Sequence, residues 1–379
     1  MMTGTPWEAP SKRTASAQPA LATPTTVTEL AISDDPISGL VPGDGRDAIY
    51  VVGERGLYRS TDGGATWRAL GPAPPAPGIA IAADETLLLA GWRPACLRAQ
   101  PGNAPLFRSR DRGATWQAVA GVENLWPLAV RRDPVVALGT TCAGLQVSRD
   151  EGASWRPLAA IPASFEVRAF VPAPGRAGEE AFFIIGTAEG GASALWLVVL
   201  GKKGELGSSE QLRTFWGAGA AGGSRERPVI GTANGVLTSL DSGASWRLSR
   251  AGLEDVTLSV DPTRGPIPDA ELQRGFGISA VAVDAFDPDQ IYVGTVAGVY
   301  HSGDGGATWS HLKGTQGVTT ALILTCRGTL LALSDARVKV YELPAQESAT
   351  PQEATSVSAT PMTSARQIAK SSEQCAEAA

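Results

Sequence analysis

One ten-residue phrase is written five times in this chain. It reads YRSTDGGATW at residues 58–67, FRSRDRGATW at 107–116 and QVSRDEGASW at 146–155. It returns as LTSLDSGASW at 237–246 and YHSGDGGATW at 300–309. The shared skeleton is Ser-x-Asp-x-Gly-x-Thr/Ser-Trp: Ser60, Asp62, Gly64 and Trp67; Ser109, Asp111, Gly113 and Trp116; Ser148, Asp150, Gly152 and Trp155; Ser239, Asp241, Gly243 and Trp246; Ser302, Asp304, Gly306 and Trp309. Self-similarity of this kind identifies an array of like units rather than a single-core domain. Each copy is a polar, Gly-containing cluster between two short apolar or alternating runs, the pattern of a β-hairpin. The Asp is expected to accept backbone hydrogen bonds from residues two positions on. The Gly suits a positive φ. The Thr or Ser hydroxyl can bond to the Asp carboxylate, and the Trp supplies a large apolar side chain to a core. Five copies of one active site in one chain would be odd, so these residues read as structural staples.

The phrase resembles the Asp-box, or bacterial neuraminidase repeat. It occurs in sialidases, sortilin-type receptors, xyloglucan-cleaving hydrolases and photosystem II assembly factors, all of them β-propellers. The resemblance covers residues 26–343 and implies an all-β propeller. It also implies that each box lies at the turn between the third and fourth strands of a blade, on the face away from the usual binding site.

Blade number follows from spacing. The box Trp residues at 67, 116, 155, 246 and 309 are separated by 49, 39, 91 and 63 residues, and one four-stranded blade takes about 40–50. The gap of 91 holds two blades, one of them without a box. The gap of 63 holds one blade plus an insertion at 255–275. After the last box only three strand-like runs remain, at 318–324, 329–333 and 338–343. The run at 26–32 can supply the fourth. The expectation is a single seven-bladed propeller closed by its N-terminal strand, which leaves no open sheet edge. Six blades is the alternative.

Composition narrows the partners. Net charge is −6, spread without long runs, so nothing suggests a nucleic-acid partner. No stretch is long and apolar enough for a membrane span. Residues 1–25 and 344–379 are rich in Ser, Thr and Ala and are expected to be disordered. The N-terminal part shows no apolar signal region, so the chain as written reads as a cytoplasmic monomer. A removed leader would make it an exported one. Of four cysteines, Cys375 is in the tail and Cys326 falls in an expected inner strand. Cys96 and Cys142 both fall in loops between second and third strands of adjacent blades. A bridge between them is one reading; two unpaired thiols, the norm in a reducing compartment, is the other.

Catalytic chemistry is hard to find. His301 and His311 both sit at variable positions of the repeat, without metal-ligand spacing. Residues 217–222 match GxGxxG, but a turn and a strand follow where a dinucleotide site needs a helix. The Arg-Ile-Pro signature of sialidases does not occur, and none of their site residues carries over. The xyloglucan hydrolases build their cleft between two propellers. No cofactor and no metal are expected.

The expected working surface is the face opposite the boxes. Its candidate residues are Arg55, Trp92, Arg93, Trp126, Trp216 and Arg337, with Glu54, the stretch from Glu123 to Trp126, Glu189, Asn234, the insertion and Asp335 around them. Exposed Trp beside Arg is enriched at binding hot spots; each Trp packing under its own loop is the plainer alternative. The sequence therefore points to a non-enzymatic scaffold with a protein partner, an assembly or accessory factor. A carbohydrate-binding or sialidase-like protein is the alternative.

Overall fold

The computed structural model describes residues 26–29, 35–43, 47–72, 76, 78–82, 86–92, 104–132, 135–162, 165–176, 179–188, 192–258 and 277–343. The two terminal segments expected to be disordered, residues 1–25 and 344–379, lie outside them. Their strands form seven antiparallel sheets of four strands each, a seven-bladed β-propeller. In blade 1 the strands are Ile37–Pro42, Ile49–Gly53, Gly56–Ser60 and Arg68–Pro72. Blades 2 to 6 follow in chain order with the same plan. Blade 7 takes Thr319–Leu324, Thr329–Ser334 and Arg337–Glu342 from the end of the chain and Thr26–Glu29 from its start. Thr26 pairs with Glu342 and Glu29 with Lys339, antiparallel. The ring is thus closed by hydrogen bonds between the two ends of the chain.

The core lies between sheets rather than inside one. Ile37, Ile49 and Val51 of blade 1 pack on Leu331, Leu333 and Val338 of blade 7. Val229 and Val236 of blade 5 pack with Ile278, Ile291 and Val293 around blade 6. A single twisted sheet of short strands cannot bury both faces alone, so each blade depends on its neighbours. Burial follows position. Second and third strands such as Ile291–Thr295 and Gly298–Ser302 are buried throughout, whereas the fourth strand Arg68–Pro72 is partly or fully exposed.

Two features set the blade geometry. Five innermost strands carry a register shift near their start, at Ile37/Gly39, Pro127/Ala129, Val167/Ala169, Ala218/Ala220 and Thr319/Ala321. The extra residue of a bulge bends the strand and increases its twist. Second strands such as Leu88–Gly91 and Ile291–Thr295 carry a glycine at or next to their end, where another segment crosses closely. A Cβ on Gly91 would lie 2.0 Å from the Leu125 carbonyl oxygen, and one on Gly294 2.9 Å from that of Thr319.

Candidate functional site

In the boxes the serine sits at the centre. Ser60 Oγ donates to Asp62 Oδ1 at 2.7 Å and accepts from the Gly64 amide at 2.8 Å. Asp62 reaches four residues on, not two. It accepts the Thr66 amide at 2.9 Å and the Thr66 hydroxyl at 2.5 Å. The other four boxes repeat this pattern at Asp111, Asp150, Asp241 and Asp304. Burial alone would raise the Asp62 carboxyl, but hydrogen bonds from Thr66 and Ser60 outweigh it and lower it from 3.8 to about 2. The other four box aspartates are lowered as well. These carboxylates are therefore ionised acceptors at neutral pH, committed to their own turns.

The box glycine has two duties. Its φ is positive in every copy, for example 93° at Gly64 and 88° at Gly243. It also touches the preceding blade. A Cβ would meet Leu331 at Gly64, Leu57 at Gly113, Leu89 at Gly152, Phe183 at Gly243 and Thr238 at Gly306. The box is thus a spacer between blades as well as a turn. The Trp residues are less buried than the sequence suggests. Trp309 is buried, at 5% exposure, while Trp67, Trp116, Trp155 and Trp246 are half-buried. The indoles of Trp67, Trp155 and Trp246 donate back to the box glycine carbonyl at 2.9–3.1 Å.

Antiparallel connectivity puts the turns between strands two and three, and the crossings from strand four to the next blade, on the face opposite the boxes. Arg55 lies in such a turn of blade 1 and Arg337 opens the third strand of blade 7; both are exposed. The short segment 35–37 brings them to one seam. Asp35, 5% exposed, accepts the Arg55 and Gly56 amides and the Tyr58 hydroxyl, and the Ile37 amide donates to the Ala336 carbonyl. Asp35 escaped the sequence reading because it sits outside any repeat. Its signal was an Asp-Pro pair ahead of a strand.

Trp92 is 43% exposed, directly after the second strand of blade 2. Trp126 is half-buried, with its ring where a Cβ on Gly78 of blade 2 would lie. Gly78 is the register partner of Gly91, so the two tryptophans share the corner of blades 2 and 3. Trp216 is the last residue of the fourth strand of blade 4, paired with Ala192. Arg93 and Glu189 lie outside the described residues. The candidates thus ring the face in separate groups instead of converging on one point. Asn234 is not a surface residue: it is 4% exposed and its amide donates to the Leu258 carbonyl at 3.2 Å.

That bond belongs to the stem of the insertion. The Leu258 amide donates to the Ala233 carbonyl, Gly277 to Val256, and Ile278 to Thr232. Leu253, Val256 and Leu258 are buried beneath it. The insertion leaves and returns at one clamped point above blades 5 and 6. Of the expected span 255–275, residues 259–275 lie outside the described set.

Three expectations need correction. Cys142 and Cys326 are both disulfide-bonded, so the reading of unpaired thiols does not hold. Cys326 lies in the turn between two strands of blade 7, not in a strand, because Thr325 and Gly328 close that turn. His301 is buried, at 2% exposure, against Tyr292, with Nε2 donating to Gln290 at 2.8 Å. Burial lowers its pKa to about 4 against a weaker opposing pull from Asp304. It is a neutral core residue.

The repeat-family match and the similarity to one solved structure with a TM-score of 0.54 agree with this architecture. The model of the BNR/Asp-box repeat family matches residues 58–69, the first box. Among solved structures the chain is similar to the extracellular domain of a putative hybrid two component system from B. thetaiotaomicron. The identity is 10% over 85% of this chain and 40% of that one, with a TM-score of 0.54. A GH74 enzyme from Niastella koreensis matches at 14% identity over 78% of this chain and 62% of that one, with a TM-score of 0.34. The chain spans well under half of the first of these structures. No curated protein sequence matches it. The protein is an Asp-box β-propeller. Among its described residues no helix is long and apolar enough to cross a membrane.

Proposed function

We propose that this propeller is an exported, non-enzymatic scaffold that binds a protein partner through the face opposite its boxes. The observation that carries the reading is the clamped insertion. Three backbone bonds and the buried Asn234 hold its two ends on rigid blades, and loops presented by a rigid scaffold often carry binding. Exposed Trp92, Arg55 and Arg337 supply contact groups of the kind found at hot spots. Export is supported by two disulfide-bonded cysteines, since such bonds persist in oxidising compartments. The similarity to an extracellular domain fits that placement at the level of fold alone.

Because the stem is closed, residues 259–276 can be replaced by a short Gly-Ser link without disturbing the blades. Wild type and this variant, each checked for folding, would be used as bait in native extract. Retention of one specific protein by wild type and its loss from the variant supports the proposal. Equal recovery by both baits removes the insertion from it.

A second reading is glycan binding, favoured by the exposed Trp92 ring. A glycan array probed with wild type and Trp92→Ala separates the two: sugar-specific binding lost in the variant favours the carbohydrate reading.

A further inference from the structure

The outer rim of blade 4 carries a feature the repeats do not explain. Its fourth strand, Leu206–Trp216, runs to 11 residues, whereas the outermost strands of the other blades run to 7 at most. It ends its sheet, and among the described residues no other strand pairs with its outer edge. A long open edge offers unpaired N–H and C=O groups to another chain, and edges are usually blunted by short length, Pro or Lys. Pro157 interrupts the outer strand of blade 3, and Gly121, at a φ of 71°, bends that of blade 2. Leu206–Trp216 contains neither Pro nor Lys.

The side chains along this edge identify its occupant. Glu210 is the register partner of Leu197 and Arg213 that of Leu195, with a register shift between them at Leu212. In an unbroken strand, residues three apart point to opposite faces. The shift instead puts Glu210 and Arg213 on one face, because Leu195 and Leu197 both pack in the cluster towards blade 5. Gln211 and Thr214 share the other face in the same way, and the Gln211 amide donates to the Thr214 hydroxyl at 2.9 Å. Glu210 and Arg213 are exposed, and neither makes an ion pair among the described residues. A two-fold axis through the shift, perpendicular to the sheet, sets a second copy antiparallel with the same face on the same side. Glu210 of each copy then stands opposite Arg213 of the other, and Ser209 opposite Thr214. A two-fold interface has to be self-complementary, and opposite charges directly across a strand pair are favourable.

We infer that two copies of this chain form a dimer by antiparallel pairing of residues 208–215 of blade 4. A second register shift, at Val199/Leu200, leaves Gly207 without a partner and sets the near end of the paired run. The seam lies on the rim of the ring, so the face opposite the boxes stays open on both copies. One strand pair is a small contact, below about 1,200 Å², so the association is reversible and depends on concentration.

Sedimentation equilibrium of the full chain tests this, over about two decades of concentration up to about 0.3 mM. The expected result is a reversible monomer–dimer equilibrium. Glu210→Arg and Arg213→Glu each set like charges opposite each other twice, and each should weaken the dimer by about tenfold or more. An equimolar mixture of the two variants should restore association, because one copy then presents two arginines and the other two glutamates. Recovery in the mixture also shows that both variants are folded. A wild type that stays monomeric, a dimer that neither variant weakens, or a mixture as weak as each variant alone would overturn the inference. No partner protein enters the measurement, so its outcome stands apart from the scaffold proposal.

Discussion

Blade 4 and the five boxed blades solve one problem in different ways. The boxed blades have outer strands of two to seven residues, three at Arg247–Ser249 and two at Ser310–His311. Their third-to-fourth turns are fixed by the Ser–Asp–Thr/Ser hydrogen bonds. Blade 4 has no box. Its strands Glu166–Ala173, Glu180–Thr187, Ala192–Leu200 and Leu206–Trp216 run to 8, 8, 9 and 11 residues. Aromatic edge contacts join Phe165 to Trp196 and Phe170 to Phe182. Its third-to-fourth turn is closed by backbone bonds from the Gly201 amide to Glu205 and from the Gly204 amide to Gly201, with Gly204 at positive φ and a Glu205 side chain on the Lys203 amide. Local polar chemistry and long-range apolar pairing are thus interchangeable ways of holding a blade. The first is compact and repeats. The second needs length.

The comparison meets at Phe183. It belongs to blade 4, is 2% exposed, packs edge-on against Trp246 at 5.5 Å and fills the space that the box glycine Gly243 leaves. Phe183→Ala should cost about 3–5 kcal/mol, read from the urea midpoint. A small loss would mean the two designs are independent. Trp309→Ala should come next, at about 3 kcal/mol, because that Trp is buried. Trp67→Ala should cost clearly less, its ring being half in solvent. Equal losses would mean that exposure is not what distinguishes the copies.

Ser302→Ala tests the polar staple itself. This fully buried hydroxyl joins Asp304 to the Gly306 amide, and its loss should cost about 1–2 kcal/mol. The pH profile sharpens the same point. Below pH 6.5 the unfolded chain protonates its histidines while folded His301 stays neutral to about 4. Stability should fall over that window, and His301→Gln should flatten it. A second decline should run from pH 3.8 towards about 2, as a lowered carboxyl such as Asp62 is protonated later in the folded state than in the unfolded one. Urea midpoints across this range check both. Smallest of all, Trp92→Ala should change stability by no more than about 0.5 kcal/mol, as an exposed side chain.

Much of the fold was legible because its strongest constraint is local. The box positions needed only their own ten residues, and spacing converted them into seven blades and an N-terminal closing strand. Legibility failed where packing decides. Asp35 lies outside any repeat, and Asn234 read as part of the exposed working face, whereas it is buried under the insertion stem. The burial of His301 depends on Gln290 and Tyr292, and the degree of Trp burial on how far each blade overhangs the next.

By itself the sequence determined the repeat and the chemistry of each turn, because hydrogen bonds over four residues do not depend on the rest of the chain; spacing favoured seven sheets over six. Only the tertiary structure decided which residues share a corner of the ring. It also decided that the box glycines face the preceding blade. Those are contacts between segments dozens of residues apart, set by the twist and closure of the ring, and no local pattern encodes them.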